Sequence, residues 1–323
     1  MKGIILINTG SPATSSPKDV GRYLSEFLMD ERIIDIPFIP RFLLVRGIIV
    51  PFRKHKSAKA YRAIWTDEGS PLLSNAFKLA RKVEDISGVA VEVAMRYGSV
   101  TIENALKGLK GRVANLTEVV VVPLFPHYAM SSYESAVFHA KKELQRLDSS
   151  LEVKVVEPYY RHHLYIDSLV DLFASIDLSK YDWLQFSYHS IPVSQLQKSL
   201  RSVSSERSFD VNYQYQVEQT SALVAGRLGM KDRYGISYQS AIGEKWIGPS
   251  TNEVLASLPA KENSNVLVVS PGFVADNLET LKDIDFDARK RFMEAGGNSF
   301  TYIPCLNDSR LFAQFIISVS ESL

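Results

Sequence analysis

Two short segments of this chain contain the side chains best suited to proton transfer or to handling a metal ion. Residues 187–192 (SYHSIP) include His189, and residues 270–281 include Glu279. Each segment directly follows a short apolar run that predicts a buried strand. Because ligands bind at the carboxyl ends of the strands in open α/β sheets, these positions present reactive side chains. The pairing of an imidazole with a carboxylate points to an enzyme rather than a scaffold.

Each candidate residue also has a purely structural interpretation. A lone histidine in a turn is more often hydrogen-bonded than catalytic, and only its place at a strand end favours a functional role for His189. From spacing alone the structural interpretation of Glu279 is the stronger one, because Asp276 and Glu279 match the capping box of a helix start. Arg96 and Tyr97 end a strand in the first half, where the arginine either binds a substrate carboxylate or pairs with a nearby acid.

Composition and charge describe an ordinary globular protein with no strong attraction for nucleic acid. The 323 residues have room for about two domains, and 37 basic residues nearly balance 36 acidic ones. Cys305 is the single cysteine, which excludes a disulfide framework and a Cys-ligated iron–sulfur cluster and favours the reducing cytoplasm. Residues 3–7 form an apolar run too short for a signal peptide. Residues 33–52 are rich in apolar side chains, but charges and prolines interrupt them, so no membrane span is predicted.

Short β-branched runs alternate with segments of helical periodicity, such as residues 278–294, a pattern typical of parallel βα units. The predicted strands span residues 3–7, 89–95, 118–122, 152–156, 183–186, 235–238, 266–269 and 300–303. The order of strand-end motifs in the first half repeats in the second. We therefore predict two similar Rossmann-like α/β domains, residues 1–158 and 159–323, with four-stranded parallel sheets facing a central cleft. The last helix is a candidate to pack back on the N-terminal domain. A glycine-rich nucleotide loop is missing, which argues against a dehydrogenase.

Eight motifs, taken together and in this order, resemble those of the ferrochelatase family (protohaem or coprohaem ferro-lyases). They are residues 6–12 (LINTGSP), 21–30 (GRYLSEFLMD), 69–72 (GSPL), 95–98 (MRYG), 123–126 (PLFP), 187–192 (SYHSIP), 246–249 (WIGP) and 271–281 (PGFVADNLETL). Each motif alone would be weak, but the match runs from end to end of the chain.

The resemblance implies two chelatase-type domains that insert Fe²⁺ into a porphyrin with release of two protons, as a lyase of haem biosynthesis. It assigns His189 to the metal-insertion site, as base for a pyrrole N–H or as metal ligand. It assigns Glu279 to the carboxylate opposite, as proton acceptor or metal-handling group. The residues expected to contact the porphyrin are Thr9, Arg96, Tyr97, Trp246 and Phe273.

The resemblance also sets expectations for cofactors, partners and location. The substrates would be a porphyrin and ferrous iron, with no further cofactor, no iron–sulfur cluster and no nucleic acid. Residues 33–52 would form an apolar lip over the porphyrin cleft, which in some members touches the membrane. We expect a cytoplasmic monomer or weak dimer, with peripheral contact at the inner face of the membrane left open. Asn277 stands where many members carry a histidine, so a metal relay is not expected there.

Two other functions stay open at this point. A chelatase for another tetrapyrrole, of the sirohydrochlorin cobalt or iron type, has a similar fold but usually a shorter chain and more metal-binding histidines. A non-catalytic porphyrin or haem carrier would need the apolar cleft but not Glu279. Protoporphyrin IX and coproporphyrin III are equally compatible with the motifs.

Overall fold

The computed structural model describes all 323 residues and divides into two compact units. The first unit comprises Met1–Leu124, Met130–Glu157 and Ile316–Leu323, and the second comprises Phe125–Ala129 and Pro158–Phe315. The main change of unit therefore follows Glu157, one residue before the predicted boundary. The end of the last helix belongs to the first unit.

The sheet of the first unit contains four parallel strands in the order β2-β1-β3-β4. The strands are β1 (Lys2–Gly10), β2 (Val91–Tyr97), β3 (Glu118–Pro123) and β4 (Glu152–Val155). The α-helices are α1 (Pro17–Leu28), α2 (Phe38–Phe42), α3 (Val50–Ile64), α4 (Pro71–Ser87), α5 (Ile102–Arg112) and α6 (Ser135–Leu147). Leu43–Ile49 and Met130–Glu134 are π-helical.

The two central strands of this sheet are continuous apolar runs, because a parallel sheet covered by helices is buried on both faces. Residues 4–7 of β1 and 119–122 of β3 are at most 1% exposed. At its end β1 reaches Gly10, whose φ is +114° and whose position leaves no room for a Cβ, since that atom would lie 2.0 Å from the carbonyl oxygen of Tyr97. Glycine therefore lets the carboxyl ends of β1 and β2 approach each other closely.

The sheet of the second unit repeats this topology, with the order β6-β5-β7-β8 and all strands parallel. The strands are β5 (Trp183–His189), β6 (Tyr234–Gln239), β7 (Asn265–Val269) and β8 (Ser299–Ile303). The α-helices are α7 (His163–Asp171), α8 (Val193–Arg201), α9 (Ser208–Val211), α10 (Tyr213–Arg227), α11 (Thr251–Ser257), α12 (Arg289–Glu294) and α13 (Arg310–Glu321). Three single turns are 3₁₀-helical: Leu178–Lys180, Ser205–Arg207 and Pro259–Lys261. The predicted α/β class with two four-stranded parallel sheets is confirmed.

A π-helix, Glu279–Ala288, precedes α12 where the sequence predicted one continuous helix. Its apolar side chains hold it on the sheet, because Ile284 and Ala288 share a buried cluster with Phe292 of α12 and Val268 of β7. This packing fixes the start of the π-helix near the carboxyl ends of the strands.

Within residues 33–52, residues 38–52 form α2, a π-helical segment and the start of α3, and several of their apolar side chains are exposed, although Val45 is buried. Phe38, Ile39, Leu43 and Phe52 are between 62% and 80% exposed. Arg41 turns inward instead and donates to the carbonyl oxygens of residues 34 and 36 at 3.2 and 3.0 Å, so the segment is held by its backbone. None of the helices combines the length and apolarity needed to cross a bilayer.

Candidate active site

His189 is the last residue of β5, and its ring lies at the carboxyl end of the second sheet. Its Nδ1 is 2.5 Å from the carbonyl oxygen of Ser190. Because a carbonyl oxygen only accepts hydrogen bonds, we assign the proton of the neutral ring to Nδ1 and the lone pair to Nε2. The hydroxyl of Tyr213 donates to the backbone oxygen of His189 at 2.8 Å and fixes the strand end. Nε2 is therefore oriented to accept a proton or to bind a metal ion.

The carboxylate of Glu279 faces this nitrogen, with Oε2 3.5 Å from Nε2 of His189. Both side chains are about one-third exposed, at 38% for His189 and 32% for Glu279, so both can reach a ligand. Gln239, at the end of β6, donates from its Nε2 to the same carboxylate oxygen at 3.3 Å. The structure thus brings together, within the second unit, the two residues that the sequence presented in separate segments.

The spacing of Asp276 and Glu279 predicted a capping box, and this prediction is wrong. The backbone N–H of Asp276 donates to Oδ1 of Asn307 at 2.9 Å, not to Glu279. The N–H of Glu279 donates to Oδ1 of Asn277 at 2.8 Å, so Asn277 is the residue that caps this helix start. The Asp276 carboxylate is buried and accepts from the hydroxyl of Tyr302 at 2.7 Å. Because neither capping bond uses it, the Glu279 side chain is free to turn toward His189.

Two further carboxylates on the π-helix, Asp283 and Asp287, were missed by the sequence analysis. Hydrogen bonds in a π-helix run from residue i to residue i+5, so residues four positions apart lie near one face. Burial, followed by the negative charges of Glu279 and Asp287, raises the pKa of Asp283 to about 6. Lys282 pairs with Asp287. The repeated spacing of four residues from Glu279 was the available signal, but it also fits the exposed face of an ordinary helix.

Arg96 and Tyr97 converge on Asp30, a buried carboxylate in the first unit. Nη2 of Arg96 lies 2.6 Å from Asp30 Oδ2, and the Tyr97 hydroxyl donates to the same oxygen at 2.7 Å. The hydroxyl of Ser135 donates to it as well, at 2.5 Å. The structural interpretation of Arg96, pairing with an acid, is therefore correct, although one-fifth of its side chain stays exposed. Arg96 also lines a cavity of about 570 Å³ together with Arg22, Ser25, Glu26, Met29, Asp30 and Arg46.

The charge of this Asp30 hub is stabilised by its donors. Burial alone would raise the pKa of Asp30, but the hydrogen bonds from Ser135, the Arg32 backbone and Tyr97 outweigh burial, and the net effect lowers the pKa. Burial also raises the pKa of Tyr97, so its hydroxyl stays protonated and donates. The hub is thus a fixed anion that orients two predicted porphyrin contacts.

The other predicted porphyrin contacts lie at the end of one strand and in the connections that follow two others. Thr9 is half-buried near the end of β1, and its N–H donates to Oδ1 of Asn8 at 2.7 Å. Trp246 is half-buried and forms an isolated antiparallel bridge with Pro192, three residues after His189. Phe273 is half-buried in the turn after β7, where its N–H donates to Ser270 O at 3.1 Å. None of the three is hydrogen-bonded to the His189–Glu279 pair.

The sequence matches one protein family over nearly its whole length. A family model described as Ferrochelatase matches residues 1–322. The ferrochelatase of Porphyromonas gingivalis is 42% identical over 335 aligned positions, which cover 98% of this chain and 95% of the relative. The ferrochelatase of Opitutus terrae is 38% identical with the same coverage, and that of Legionella pneumophila is 35% identical and covers 98% of each chain.

Solved structures with a similar fold include two of sirohydrochlorin-chelatase type. SirB from Bacillus subtilis with Fe³⁺ matches with a TM-score of 0.53 and 14% identity, covering 79% of this chain and 94% of that protein. SirB of Bacillus subtilis subspecies spizizenii in complex with cobalt matches with a TM-score of 0.57 and 10% identity, covering 99% and 94%. At such low identity these likenesses concern the fold alone.

Proposed function

The chain belongs to the ferrochelatase family, and from that premise we propose that His189 and Glu279 are the residues that insert ferrous iron into its porphyrin substrate. The protein is a lyase of the metal-chelatase kind: Fe²⁺ enters the macrocycle and two pyrrole protons leave, as haem biosynthesis requires. The single observation that carries the residue assignment is the 3.5 Å between Nε2 of His189 and Oε2 of Glu279.

The chemistry follows from the hydrogen-bonding atoms of this pair. Insertion requires a base close to the pyrrole N–H groups while the ring is held out of plane. With Nδ1–H directed at the Ser190 carbonyl, His189 offers the Nε2 lone pair to one proton, and the Glu279 carboxylate can take the other. Imidazole and carboxylate also bind divalent iron, so the same atoms can hold the ion before it is transferred. Two protein ligands leave coordination positions open for the ring nitrogens.

The acidic side of the π-helix supports delivery of a cation to this pair. Asp283 follows Glu279 on one face of the helix, and Asp287, four residues further on, pairs with Lys282. Negative potential raises the local concentration of a divalent cation. We infer that ferrous iron approaches Glu279 along this face.

We assign the porphyrin contacts to Thr9, Arg96, Tyr97, Trp246 and Phe273. The exposed part of the Arg96 guanidinium can bind a substrate carboxylate while its Nη2 stays on Asp30. The aromatic side chains offer flat apolar surface to a flat ring. No cofactor is needed besides the substrate iron, and the single thiol, Cys305, is buried.

The activity is tested by giving the purified protein Fe²⁺, or Zn²⁺ as a surrogate, and a porphyrin under anaerobic conditions. We expect the absorption spectrum of the metalated ring, with protoporphyrin IX and coproporphyrin III assayed in parallel to identify the substrate. His189→Ala should abolish turnover while porphyrin still binds, and His55→Ala, in an exposed basic stretch of α3, should behave as wild type. Tight porphyrin binding without metalation would favour a carrier, and metalation of sirohydrochlorin alone would favour the other chelatase.

We also propose that residues 33–52 form a lip that contacts the cytoplasmic face of the membrane. The exposed Phe38, Ile39 and Phe52 supply apolar surface, and Arg53, Lys54 and Lys56 follow directly in sequence. Sedimentation with phosphatidylglycerol vesicles should capture the wild type but not the triple serine variant of the three apolar residues. Phe209→Ser, at a similarly exposed phenylalanine of the second unit, is the matched control. Equal capture of both variants would contradict the proposal. Sedimentation of the protein alone, without vesicles, tests the separate expectation that it is a monomer or weak dimer.

A further inference from the structure

A continuous chain of buried hydrogen bonds runs from Glu279 into the second sheet. Gln239 donates to Glu279 Oε2 at 3.3 Å and accepts at its Oε1 from the Ser187 hydroxyl at 2.8 Å. Ser187 is 2.9 Å from the hydroxyl of Thr251, which in turn is 3.0 Å from that of Ser237. The side chains between Glu279 and the far end of the chain are all at most 5% exposed.

The series of hydrogen bonds ends, away from Glu279, at a second glutamine, Gln185. Nε2 of Gln185 donates to the Ser237 hydroxyl at 2.9 Å, and the indole of Trp183 donates to Gln185 Oε1 at 3.0 Å. Gln185 also donates to the carbonyl oxygen of Gly235 at 3.0 Å, so its amide is fully engaged without reaching Glu279.

The register of the strands explains how these residues come to share one face. β5 and β6 are parallel and align Ser187 with Ser237 and His189 with Gln239. Because side chains alternate between faces, the residues at every second position of both strands form one polar row that ends at His189 and Gln239. Replacing a whole set of buried, hydrogen-bonded groups by apolar side chains of the same shape can be nearly neutral, so stability alone does not account for this row.

The direction of each hydrogen bond fixes the orientation of the Gln239 amide. A glutamine oxygen accepts and its nitrogen donates, and Ser187 occupies the oxygen. The nitrogen of Gln239 must then point at the Glu279 carboxylate and at its backbone oxygen, 3.3 and 3.5 Å away. The carboxylate oxygen that receives this bond is the same one that faces His189 Nε2.

We propose that Gln239 is a positioning residue for metal insertion: locked by the Ser187–Thr251 pair, it holds the Glu279 carboxylate toward Nε2 of His189. The proposal deepens the assigned function and rests on it. Gln239 does not need to touch the iron; it sets which oxygen of Glu279 meets the ion and where. Partners of this kind typically change metal affinity or activity by about 10–100-fold when they are removed.

The test compares the same substitution at the two glutamines of the hydrogen-bond network, Gln239 and Gln185. Gln239→Leu should lower kcat/KM for Fe²⁺ or Zn²⁺ by about tenfold or more, while the Kd for porphyrin, from fluorescence titration, stays within about twofold of wild type. Gln185→Leu buries the same leucine in the same network, five hydrogen bonds away from Glu279. It should lower the unfolding temperature but leave both substrate parameters near wild type.

A second variant covers the case in which Gln239→Leu does not fold. Ser187→Ala keeps Gln239 but removes the hydrogen bond to its Oε1. The kcat/KM for the metal should therefore also fall, by a smaller factor, with porphyrin binding unchanged. Wild-type metal kinetics in the folded Gln239 variant, or equal losses in the two glutamine variants, would overturn the proposal. If the wild type itself did not metalate a porphyrin, the assigned function would fail instead, so the two failures are distinct.

Discussion

The two sheets of this protein have the same strand order but differ in what fills one face. β1 and β2 align Leu6 with Val93 and Asn8 with Met95, so that face has one polar residue among apolar ones. β5 and β6 instead align Ser187 with Ser237 and His189 with Gln239 in a polar row. The shared topology shows that such a row is not needed to build this sheet. We infer that the row in the second sheet serves the carboxyl end of β5, where His189 lies.

The first unit orients its polar side chains in a different way. Asp30, at the end of α1, gathers Arg96, Tyr97 and Ser135 on one carboxylate oxygen instead of distributing them along the strands. A single fixed anion suits the orientation of Arg96 and Tyr97, which we propose contact a large substrate. A chain of neutral donors and acceptors suits the placement of one carboxylate without adding charge next to it.

The largest expected effect tests whether the Asp30 hub serves porphyrin binding while the polar row serves metal insertion at Glu279. Glu279→Gln preserves the shape but removes the charge, and should lower kcat for metal insertion by about 100-fold or more because a proton acceptor is lost. Arg96→Leu should instead raise the KM for porphyrin by about tenfold, the effect of one charged hydrogen bond, with kcat near wild type. Steady-state kinetics with each substrate varied in turn measure both. A lowered kcat with an unchanged KM in the Arg96 variant would contradict the distinction between a binding residue and a catalytic residue.

The next effect concerns stability in the first unit. Asp30→Ala leaves Arg96 and two hydroxyls without their shared acceptor, and should reduce the free energy of unfolding by about 3 kcal/mol, as for other buried ion pairs that lose one partner. Urea unfolding followed by circular dichroism measures the loss. Asp210→Ala removes the partner of Arg207 in an exposed pair and should have no measurable effect. Equal losses in the two variants would show that the hub is not a stabilising element.

A reciprocal exchange of threonine, at the start of α11, and valine, in β3, tests the polar row directly. Thr251→Val keeps the shape but leaves the Ser187 and Ser237 hydroxyls short of a partner, and should destabilise the protein by about 1–3 kcal/mol. Val121→Thr places a hydroxyl in the apolar interior of β3 and should cost a similar amount. Unfolding temperatures of both variants test this symmetry. A stabilising Thr251→Val would show that leaving the Ser187 and Ser237 hydroxyls short of this partner carries no cost.

The sequence predicted the two sheets and the position of His189 because both depend on local patterns. Continuous apolar runs identify parallel buried strands, and a histidine directly after such a run lies at the strand end. The polar row was hidden inside one of these runs, since Gln185 was included with residues 183–186 in an apolar strand. A single polar residue in a strand acquires meaning only when the register of the neighbouring strand is known.

The orientation of Glu279 and the identity of the Asp30 hub could not be predicted for a related reason. Asp276 and Glu279 have capping-box spacing, and only the contact of Asp276 with Asn307 and Tyr302 shows why that box does not form. Asp30 and Arg96 are 66 residues apart. Both outcomes depend on contacts between distant segments, which spacing along the chain does not contain.

The smallest expected effect is a difference in acid sensitivity between His127 and the Asp30 hub. His127 belongs to the second unit and is fully buried, with its ring edge-on to Tyr188 and Tyr213 at 5.4 and 6.2 Å. Burial lowers the pKa of this histidine from 6.5 to about 3. Below about pH 6.5 the imidazole of His127 therefore binds a proton in the unfolded chain but not in the folded one, and stability falls as the pH falls.

The Asp30 carboxyl behaves differently, because its lowered pKa keeps its contribution intact until the pH falls below the ordinary value of 3.8. Between about pH 6.5 and pH 5.5, His127 alone should remove about 1 kcal/mol from the free energy of unfolding. Hydrogen exchange of the β5 amides at both pH values measures the change, and His127→Phe should abolish the part due to this residue. If the wild type and this variant lost the same amount over that interval, then either His127 would be protonated in the folded protein or its unfolding would not be linked to β5.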